Sequence, residues 1–364
     1  MGSTPVQRMV LCAAIVAAVV PLSAAVPTHV DITWMSIANV YYELGPLRII
    51  TDGYFTRIPQ SAFSGGGGGL AHTRQAFTPD VDGVTRVMYA LGGPKAVNLL
   101  LTGHSHFDHS FDTATWSRLT GARIVGSRTT CLQAQAEKIP AERCRAVNGR
   151  EVLTLSDGVA MRVVRWNHSG DSTRNPEQHD PVELTSAPKP DSSGGLHAGV
   201  ADAFPNGGGG RGFLFTVVGA RGRFSWFYQN SASPTDIGAP IVVDGVDYGA
   251  PLDNLRAALQ DAGLGSVDLW IGTGGAPVAE LVLPVLKPSA YLPIHWDGLY
   301  APFGAGMPRA YGDPALETVL ARQGVTLVKP AQYMDKWRLD SSGITAVPNV
   351  RVKKALGFAD VQSF

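Results

Sequence analysis

The hydrophobic pattern of the chain switches repeatedly between the two-residue period of strands and the longer period of helices. Strand patterns occur at 31–37, 40–43, 48–51, 96–101, 123–125, 151–155, 161–166, 213–218, 224–228, 267–271 and 290–294. Helical patterns occur at 82–91, 112–119, 129–137, 252–262 and 278–286. The order of strand meander and then alternating strands and helices occurs twice. Two such halves predict an α/β (α+β) chain whose two sheets face each other with helices outside, a four-layer αββα sandwich.

The N-terminus has a pattern of its own. Arg8 precedes the apolar run 9–20, and Pro21 and the small residues 23–25 follow it. This order is typical of a secretory signal cleaved after Ala25, so we expect 1–25 to be a signal peptide and 26–364 a single domain. An uncleaved anchor is the alternative, because the apolar stretch approaches the shortest spanning length. Cleavage predicts a secreted or cell-envelope protein with no membrane segment.

A long polar segment interrupts the second half. Residues 169–210 are rich in Gly, Pro, Ser and Asp and are expected to form a loop insertion. A loop of this length inside a compact domain is usually functional or disordered. His179 and His197 lie in it and could line a pocket, although loop histidines more often face solvent.

Composition narrows the class of partner. Hydrophobic residues make up 45% and charged residues 16% of the 364 residues, which indicates a globular protein. Lys plus Arg equals Asp plus Glu, 30 against 30, so no overall basic field would gather nucleic acid. A small-molecule substrate is therefore the expected partner.

Signal cleavage would remove Cys12 and leave two cysteines, Cys131 and Cys144. In an oxidising compartment a pair at this spacing is expected to form a disulfide. The alternative is two buried free thiols. Neither cysteine lies in a C-x-x-C pair, which argues against a redox or zinc-ribbon role.

The densest cluster of chemically active side chains follows the apolar strand pattern 96–101. It reads Gly103-His104-Ser105-His106-Phe107-Asp108-His109, with four candidate metal ligands in six residues. Imidazole and carboxylate groups on a short loop are typical metal ligands. The alternative is a polar loop without metal, but its desolvated imidazoles would each need a separate partner.

The motif H-x-H-x-D-H at His104, His106, Asp108 and His109 resembles the hallmark of the metallo-β-lactamase superfamily. The resemblance extends from about Ile32 to about Val328. Within the superfamily, the chain is most similar to the branch that includes sugar-lactone and phosphodiester hydrolases. It implies two further ligands that end strands, His168 and His295. It also implies that His104, His106 and His168 hold one metal and that Asp108, His109 and His295 hold a second. Asp52 is expected to support the metal loop.

One position departs from the family pattern. The family places an aspartate that bridges both metals after the strand matched by 224–228, but this chain has Asn230 and Ser231 there. Losing a negative charge between two cations should weaken the second site. Three outcomes are open: one tightly bound metal, two metals bridged only by water, or replacement by another carboxylate. The candidates for replacement are Asp171, Asp180 and Asp236.

These features predict an exported hydrolase that uses one or two divalent ions, with zinc the expected metal. The resemblance implies attack by metal-bound hydroxide on an ester, lactone, amide or phosphodiester. Asp108 is the expected catalytic residue, orienting the nucleophile if the second metal is absent. Two alternatives remain: a mononuclear iron oxygenase of the same fold, and a non-catalytic metal-binding protein.

Overall fold

The computed structural model describes residues 25–361. The predicted signal peptide lies outside these residues except for Ala25. Within the described part of the chain, every helix is too short or too polar to cross a bilayer.

Two large sheets carry most of the strands. In chain order these strands are β1 His29–Ser36, β2 Asn39–Leu44, β3 Leu47–Thr51, β4 Leu99–Leu101, β5 Arg123–Gly126, β6 Cys144–Ala146, β7 Val152–Ser156, β8 Val159–Trp166, β9 Gly210–Gly219, β10 Gly222–Tyr228, β11 Leu269–Gly272, β12 Ala290–Pro293, β13 Thr326–Leu327, β14 Asp335–Asp340 and β15 Gly343–Val347. The first sheet has the order β15-β14-β1-β2-β3-β4-β5-β6. The second has the order β13-β12-β11-β10-β9-β8-β7. Short hairpins join Phe63–Ser64 to His72–Thr73 and Val242–Val243 to Val246–Asp247.

Both sheets are built in the same way. In the first, β15, β14, β1, β2 and β3 pair antiparallel, and β3 to β6 pair parallel. In the second, β7 to β10 pair antiparallel and β10 to β13 pair parallel. The predicted repetition of a meander followed by an α/β unit is therefore present. The C-terminal hairpin β14–β15, which the sequence pattern did not predict, completes the first sheet beside β1.

Strict alternation along the strands explains the layers. Tyr42 in β2 packs on Phe215 and Trp226 of the second sheet, with ring centroids 5.8 Å apart in both pairs. Leu214 and Phe227, one position away from these partners, belong instead to a separate apolar cluster with the outer helices. Because successive side chains of a strand point to opposite faces, each sheet is buried on both sides.

The helices lie outside the two sheets. They are α1 Val81–Leu91, α2 Phe107–Ser110, α3 Thr113–Thr120, α4 Arg128–Ala136, α5 Pro176–His179, α6 Pro251–Asp261, α7 Gly275–Leu286, α8 Pro314–Arg322 and α9 Val350–Leu356. Helices α6, α7 and α8 cover the second sheet, and α1, α3, α4 and α9 lie on the side of the first. Short 3-10 turns occupy Gln60–Ala62, Pro94–Ala96, Ala141–Arg143 and Phe303–Ala305. The predicted four-layer sandwich is confirmed.

The strand predicted at 96–101 is shorter than expected. Pro94–Ala96 form a 3-10 turn, and β4 covers only Leu99–Leu101. Pro94 sits at the start of this turn, where its fixed backbone angle suits helical geometry and its missing N–H costs nothing. The strand can therefore begin only after the turn.

The long loop lies between β8 and β9, and α5 is the only helix within it. It packs against the first glycine tract rather than extending into solvent. A side chain at Gly67 would place its Cβ 2.1 Å from the carbonyl oxygen of Arg174. The backbone N–H of Gly68 donates to Glu177 in α5 at 2.8 Å. Glycine at 67 thus permits the close approach of the two loops.

Cys131 and Cys144 form the predicted disulfide, which joins α4 to β6. Replacing both with serine should lower the free energy of unfolding by about 3 kcal/mol, because the unfolded chain regains the entropy that the cross-link removed. Urea unfolding of the variant and of oxidised wild type measures this loss. Reduced wild type serves as the control and should unfold at the same urea concentration as the variant. Equal midpoints for oxidised and reduced wild type would contradict the expectation.

Glu137, directly after α4, should make stability depend on pH. Its burial raises the pKa of the carboxyl to about 7, although Arg118 lies 3.5 Å away and opposes the shift. The folded-state pKa exceeds the unfolded value, so the protonated carboxyl contributes fully to the free energy of unfolding below about pH 4.5. This contribution, up to about 3 kcal/mol, is lost as pH rises through 7. Glu137→Gln should remove this part of the pH dependence. Urea unfolding of both proteins at pH 4.5, 6 and 7.5 measures it, and parallel pH profiles would count against a buried, protonated Glu137.

Candidate metal centre

The six predicted ligands come from three chain segments that end at one edge of the two sheets. His104, His106, Asp108 and His109 follow β4, His168 follows β8, and His295 follows β12. Binding sites in α/β folds often lie beyond the carboxyl ends of the strands. The structure brings the six together as two triads, His104–His106–His168 and Asp108–His109–His295.

The first triad consists only of imidazoles. Nε2 of His104 lies 3.2 Å from Nδ1 of His106. The ring of His168 is 4.6 Å from that of His104 and 4.4 Å from that of His106, centroid to centroid. Nδ1 of His168 is 2.8 Å from the carbonyl oxygen of Ser169, so its Nε2 is left for a metal. Three convergent nitrogens with a fourth position open are typical of catalytic zinc sites.

Burial keeps these imidazoles neutral. It lowers the pKa of His104 and His168 well below the usual value, and neighbouring histidines add to the effect. It lowers the pKa of His106 to about 3. Since a metal binds the unprotonated nitrogen, the first triad needs to release no proton at neutral pH.

The second triad combines one carboxylate with two imidazoles. Oδ2 of Asp108 lies 3.0 Å from Nε2 of His109 and 3.0 Å from Nε2 of His295, and these two nitrogens are 3.2 Å apart. Ligands about 2.0–2.2 Å from one ion have mutual separations of this size. The three atoms therefore fit a single divalent cation.

Electrostatics in the second triad favour a cation. Burial alone would raise the pKa of Asp108, but His109 and His295 hold it well below its usual range. Burial would lower the pKa of His109, but Asp108 and Asp52 raise it to about 10. A metal that binds here displaces the proton from His109, which makes binding weaker as pH falls.

Asp52 supports the metal loop from behind. Its Oδ2 accepts hydrogen bonds from Nδ1 of His109 at 2.9 Å, from the hydroxyl of Tyr228 at 2.7 Å and from Nδ2 of Asn230 at 2.8 Å. Its Oδ1 accepts from the backbone N–H of Gly103 at 2.9 Å. The hydrogen bond from Nδ1 of His109 to Asp52 leaves Nε2 of that ring to face the metal.

Asn230 stands behind the histidines and orients them. Its Oδ1 accepts from Nδ1 of His104 at 3.1 Å, which turns Nε2 of that ring toward the first triad. Its Nδ2 needs the space beside Gly103, where an added Cβ would lie 2.3 Å away. Ser231 is also engaged, because its Oγ accepts from the backbone N–H of Ser169 at 2.9 Å. Neither side chain adds the negative charge of a bridging aspartate.

The three candidate replacement carboxylates stand apart from both triads. Asp171 accepts from the backbone N–H groups of Thr173 and Arg174 within its own turn. Asp236 pairs with His179. Asp180 is exposed at the surface. The prediction that one of them bridges the metals receives no support from these positions.

A backbone hydrogen bond ties His295 to the turn between β1 and β2. Its backbone is left-handed, with φ of 63°, and its N–H donates to the carbonyl oxygen of Ile37 at 2.8 Å. The N–H of Ile37 in turn donates to Asp297 at 3.0 Å, and the hydroxyl of Tyr333 donates to the same carboxylate at 2.7 Å. These contacts join the end of β12 to the turn between β1 and β2.

The two loop histidines have different surroundings. His179 is 9% exposed and lies beside His168, whose carbonyl oxygen is 3.0 Å from its Nδ1. His197 is exposed, and its Nδ1 lies 2.9 Å from the carbonyl oxygen of Thr73. Of the two, His179 adjoins the metal centre. The expectation that loop histidines face solvent holds for His197 and not for His179.

A pocket of about 280 Å³ shares His168 with the metal centre. It is bounded by Asn167, Asp171, Ser172, His179, Asp180, Pro181, Gly209, Thr235, Asp236, Pro240, Ile241 and Val242. Tyr228 and Asn167 were not predicted as site residues. Asn167 directly precedes a predicted ligand, which is a local signal; the role of Tyr228 depends on contacts across the sandwich.

Comparison with known proteins gives limited matches. No protein-family model matches the chain. A UPF0173 metal-dependent hydrolase of Pyrobaculum islandicum is 33% identical over 75 residues, which are 21% of this chain and 33% of that protein. The match thus spans only about a third of this relative's length.

Solved structures match over most of the chain but with low identity. Igni18, a metallo hydrolase from Ignicoccus hospitalis, is 13% identical with a TM-score of 0.47, and the match covers 86% of this chain and 99% of that one. The isothiocyanate hydrolase from Delia radicum gut bacteria is 11% identical with a TM-score of 0.48, covering 84% and 98%.

The chain's own features define its fold. Two similarly built sheets face each other between outer helices. The H-x-H-x-D-H loop follows β4, and two distant histidines after β8 and β12 join it to complete two triads. The chain therefore has the metallo-β-lactamase fold, as the sequence resemblance implied.

Proposed function

We propose that the chain is a metal-dependent hydrolase of a small molecule. The observation that carries the proposal is the convergence of two triads of potential metal ligands at one edge of the sandwich. A bound divalent ion would lower the pKa of its water toward about 7 and polarise the carbonyl oxygen of an ester, lactone or amide. Nearby residues would hold the ions and exclude bulk water.

Each side chain of the centre has a definable task. Asp108 is ionised and would offer Oδ2 to the second ion; with that ion absent, it would orient the nucleophile. His104, His106 and His168 would hold the first ion as neutral ligands. Asp52 and Asn230 would keep the imidazole rings in the required tautomers.

Zinc is the metal that we propose, with the second site weaker than the first. Five imidazoles and one carboxylate suit zinc, although iron accepts a similar set. Asn230 and Ser231 leave the repulsion between two ions less compensated than a bridging carboxylate would. Zinc titration should therefore show two unequal affinities, and two equally tight ions would contradict this part of the proposal.

The pocket beside His168 favours a neutral or cationic substrate. The carboxylates of Asp171, Asp180 and Asp236 line it, and no Lys or Arg stands among its lining residues. Asp236 pairs with His179 and Asp171 with Arg174, which among the described residues leaves the carboxylate of Asp180 without an ion pair in the pocket. Anionic groups such as phosphodiesters are usually recognised by Arg or Lys. We therefore place esters, lactones and amides ahead of phosphodiesters as substrates.

Export also remains part of the proposal. The disulfide between Cys131 and Cys144 supports it, because disulfides persist mainly in oxidising compartments. N-terminal sequencing of the mature protein from the medium or the cell envelope tests it. A start at Val26 would agree with cleavage after Ala25, whereas an intact N-terminus in the membrane would favour the anchor.

The deciding experiment combines metal analysis with a substrate screen. Purified protein should contain zinc and hydrolyse chromogenic esters, lactones or amides, with activity lost on chelation and restored by zinc. Iron as the native metal, with oxygen consumption, would favour the oxygenase alternative. Bound metal without turnover of any class would favour a non-catalytic role.

A further inference from the structure

His168 is the one ligand of the first triad that lies outside the 104–109 loop. It follows β8 by two residues, at the start of the long loop, where no ladder of backbone hydrogen bonds continues. Its position therefore depends on the side chains that hold residues 167–169.

His179 holds the central residue of this tripeptide. Its Nδ1 lies 3.0 Å from the carbonyl oxygen of His168, and its Nε2 lies 2.5 Å from Oδ2 of Asp236. Both ring nitrogens thus face oxygen acceptors. The imidazole joins the backbone of a metal ligand to a carboxylate from the segment after β10.

The residues on either side of His168 are held from the same segment. Nδ2 of Asn167 donates to Oδ1 of Asp236 at 2.6 Å and to the carbonyl oxygen of Ser233 at 2.8 Å. The N–H of Ser169 donates to Oγ of Ser231 at 2.9 Å. Each residue of the tripeptide is therefore anchored by a different contact, and Asp236 contributes to two of them.

We propose that His179 and Asp236 are positioning residues that fix His168 for the first metal. The inference rests on the proposed metal centre, but it concerns the geometry of one ligand and not the reaction. Side chains that orient a metal ligand through a hydrogen bond are often worth 10- to 100-fold, roughly, in metal affinity. Since His179 and Asp236 also line the pocket, direct contact with substrate is the competing role.

The test is a Co²⁺ titration of the full-length chain, followed by visible absorption, in a His295→Ala background where only the first triad is complete. His179→Gln and Asp236→Asn should each weaken Co²⁺ binding by about 10- to 100-fold. His197→Gln is the matched control, an exposed histidine of the same loop, and should leave the affinity unchanged. Circular dichroism checks the fold, and the isosteric Asp236→Asn keeps the test available if His179→Gln does not fold.

The outcomes separate the two proposals. Unchanged Co²⁺ affinity in both variants would overturn the positioning role, and a raised KM alone would assign the pair to substrate contact. If the variants bind Co²⁺ more weakly but the zinc-loaded wild type hydrolyses no substrate, the positioning role would be supported and the proposed hydrolase activity refuted. A wild type that binds no Co²⁺ would overturn both.

Discussion

His106→Ala is expected to remove the first metal and abolish hydrolysis while the fold survives. The variant leaves only His104 and His168 in the first triad, too few to retain an ion in a three-ligand site. The stability cost should stay within about 1 to 3 kcal/mol, because the ring of His106 has one polar contact, from its Nδ1 to His104, and its Nε2 has none among the described residues. Metal analysis, turnover and thermal unfolding of the same preparation measure the three effects.

A second variant separates loss of a ligand from loss of any histidine. His72→Ala removes an exposed histidine that pairs with Asp202 and belongs to neither triad, and it should retain both metal and turnover. Turnover that persists in His106→Ala at the wild-type rate would show that the first triad is not the reaction centre. Metal loss without any activity to lose would identify a binding protein.

Asp52→Asn should weaken the second metal and the fold together. Four donors converge on this carboxylate, and an asparagine amide would present N–H groups to at least one of them. Leaving a buried donor unpaired and removing the charge should cost about 3 kcal/mol of stability. Because the ring of His109 loses its anchor, we expect about 10- to 100-fold weaker metal binding at the second triad.

Asp335→Asn provides the matched control for this variant. Asp335 is equally buried and pairs with Lys353 at 2.6 Å, beside the C-terminal helix α9. It should lower stability by a similar amount, about 3 kcal/mol, without changing metal affinity. If both variants lose metal to the same degree, the effect of Asp52 would be general destabilisation and not support of His109.

Much of the fold could be predicted because its strands obey a two-residue period and its halves repeat one order of elements. The C-terminal hairpin shows the limit. Trp337 and Leu339 are buried while Lys336 and Arg338 are less so, an alternation that was readable in the sequence. Its pairing with β1, some 300 residues earlier along the chain, was not, because register across such distances is set by tertiary packing.

The site residues likewise differ in whether the sequence could predict their roles. The 104–109 loop was predictable because its ligands are adjacent in sequence. His168 and His295 were predictable because the family resemblance implies a ligand at the end of the strand that precedes each of them. The burial of His179 was not, because a histidine in a polar loop gives no sign of the carboxylate it will meet. The role of Asn230 likewise depends on Asp52 and His104, which come from the other sheet.

Crystals of the zinc-loaded protein, measured at the zinc absorption edge, test the central claim most directly. We predict anomalous peaks about 2.0–2.2 Å from the facing atoms of His104, His106 and His168 and, with lower occupancy, of Asp108, His109 and His295. Zinc bound only elsewhere, or histidines of either triad turned away from an ion in the loaded protein, would contradict the account.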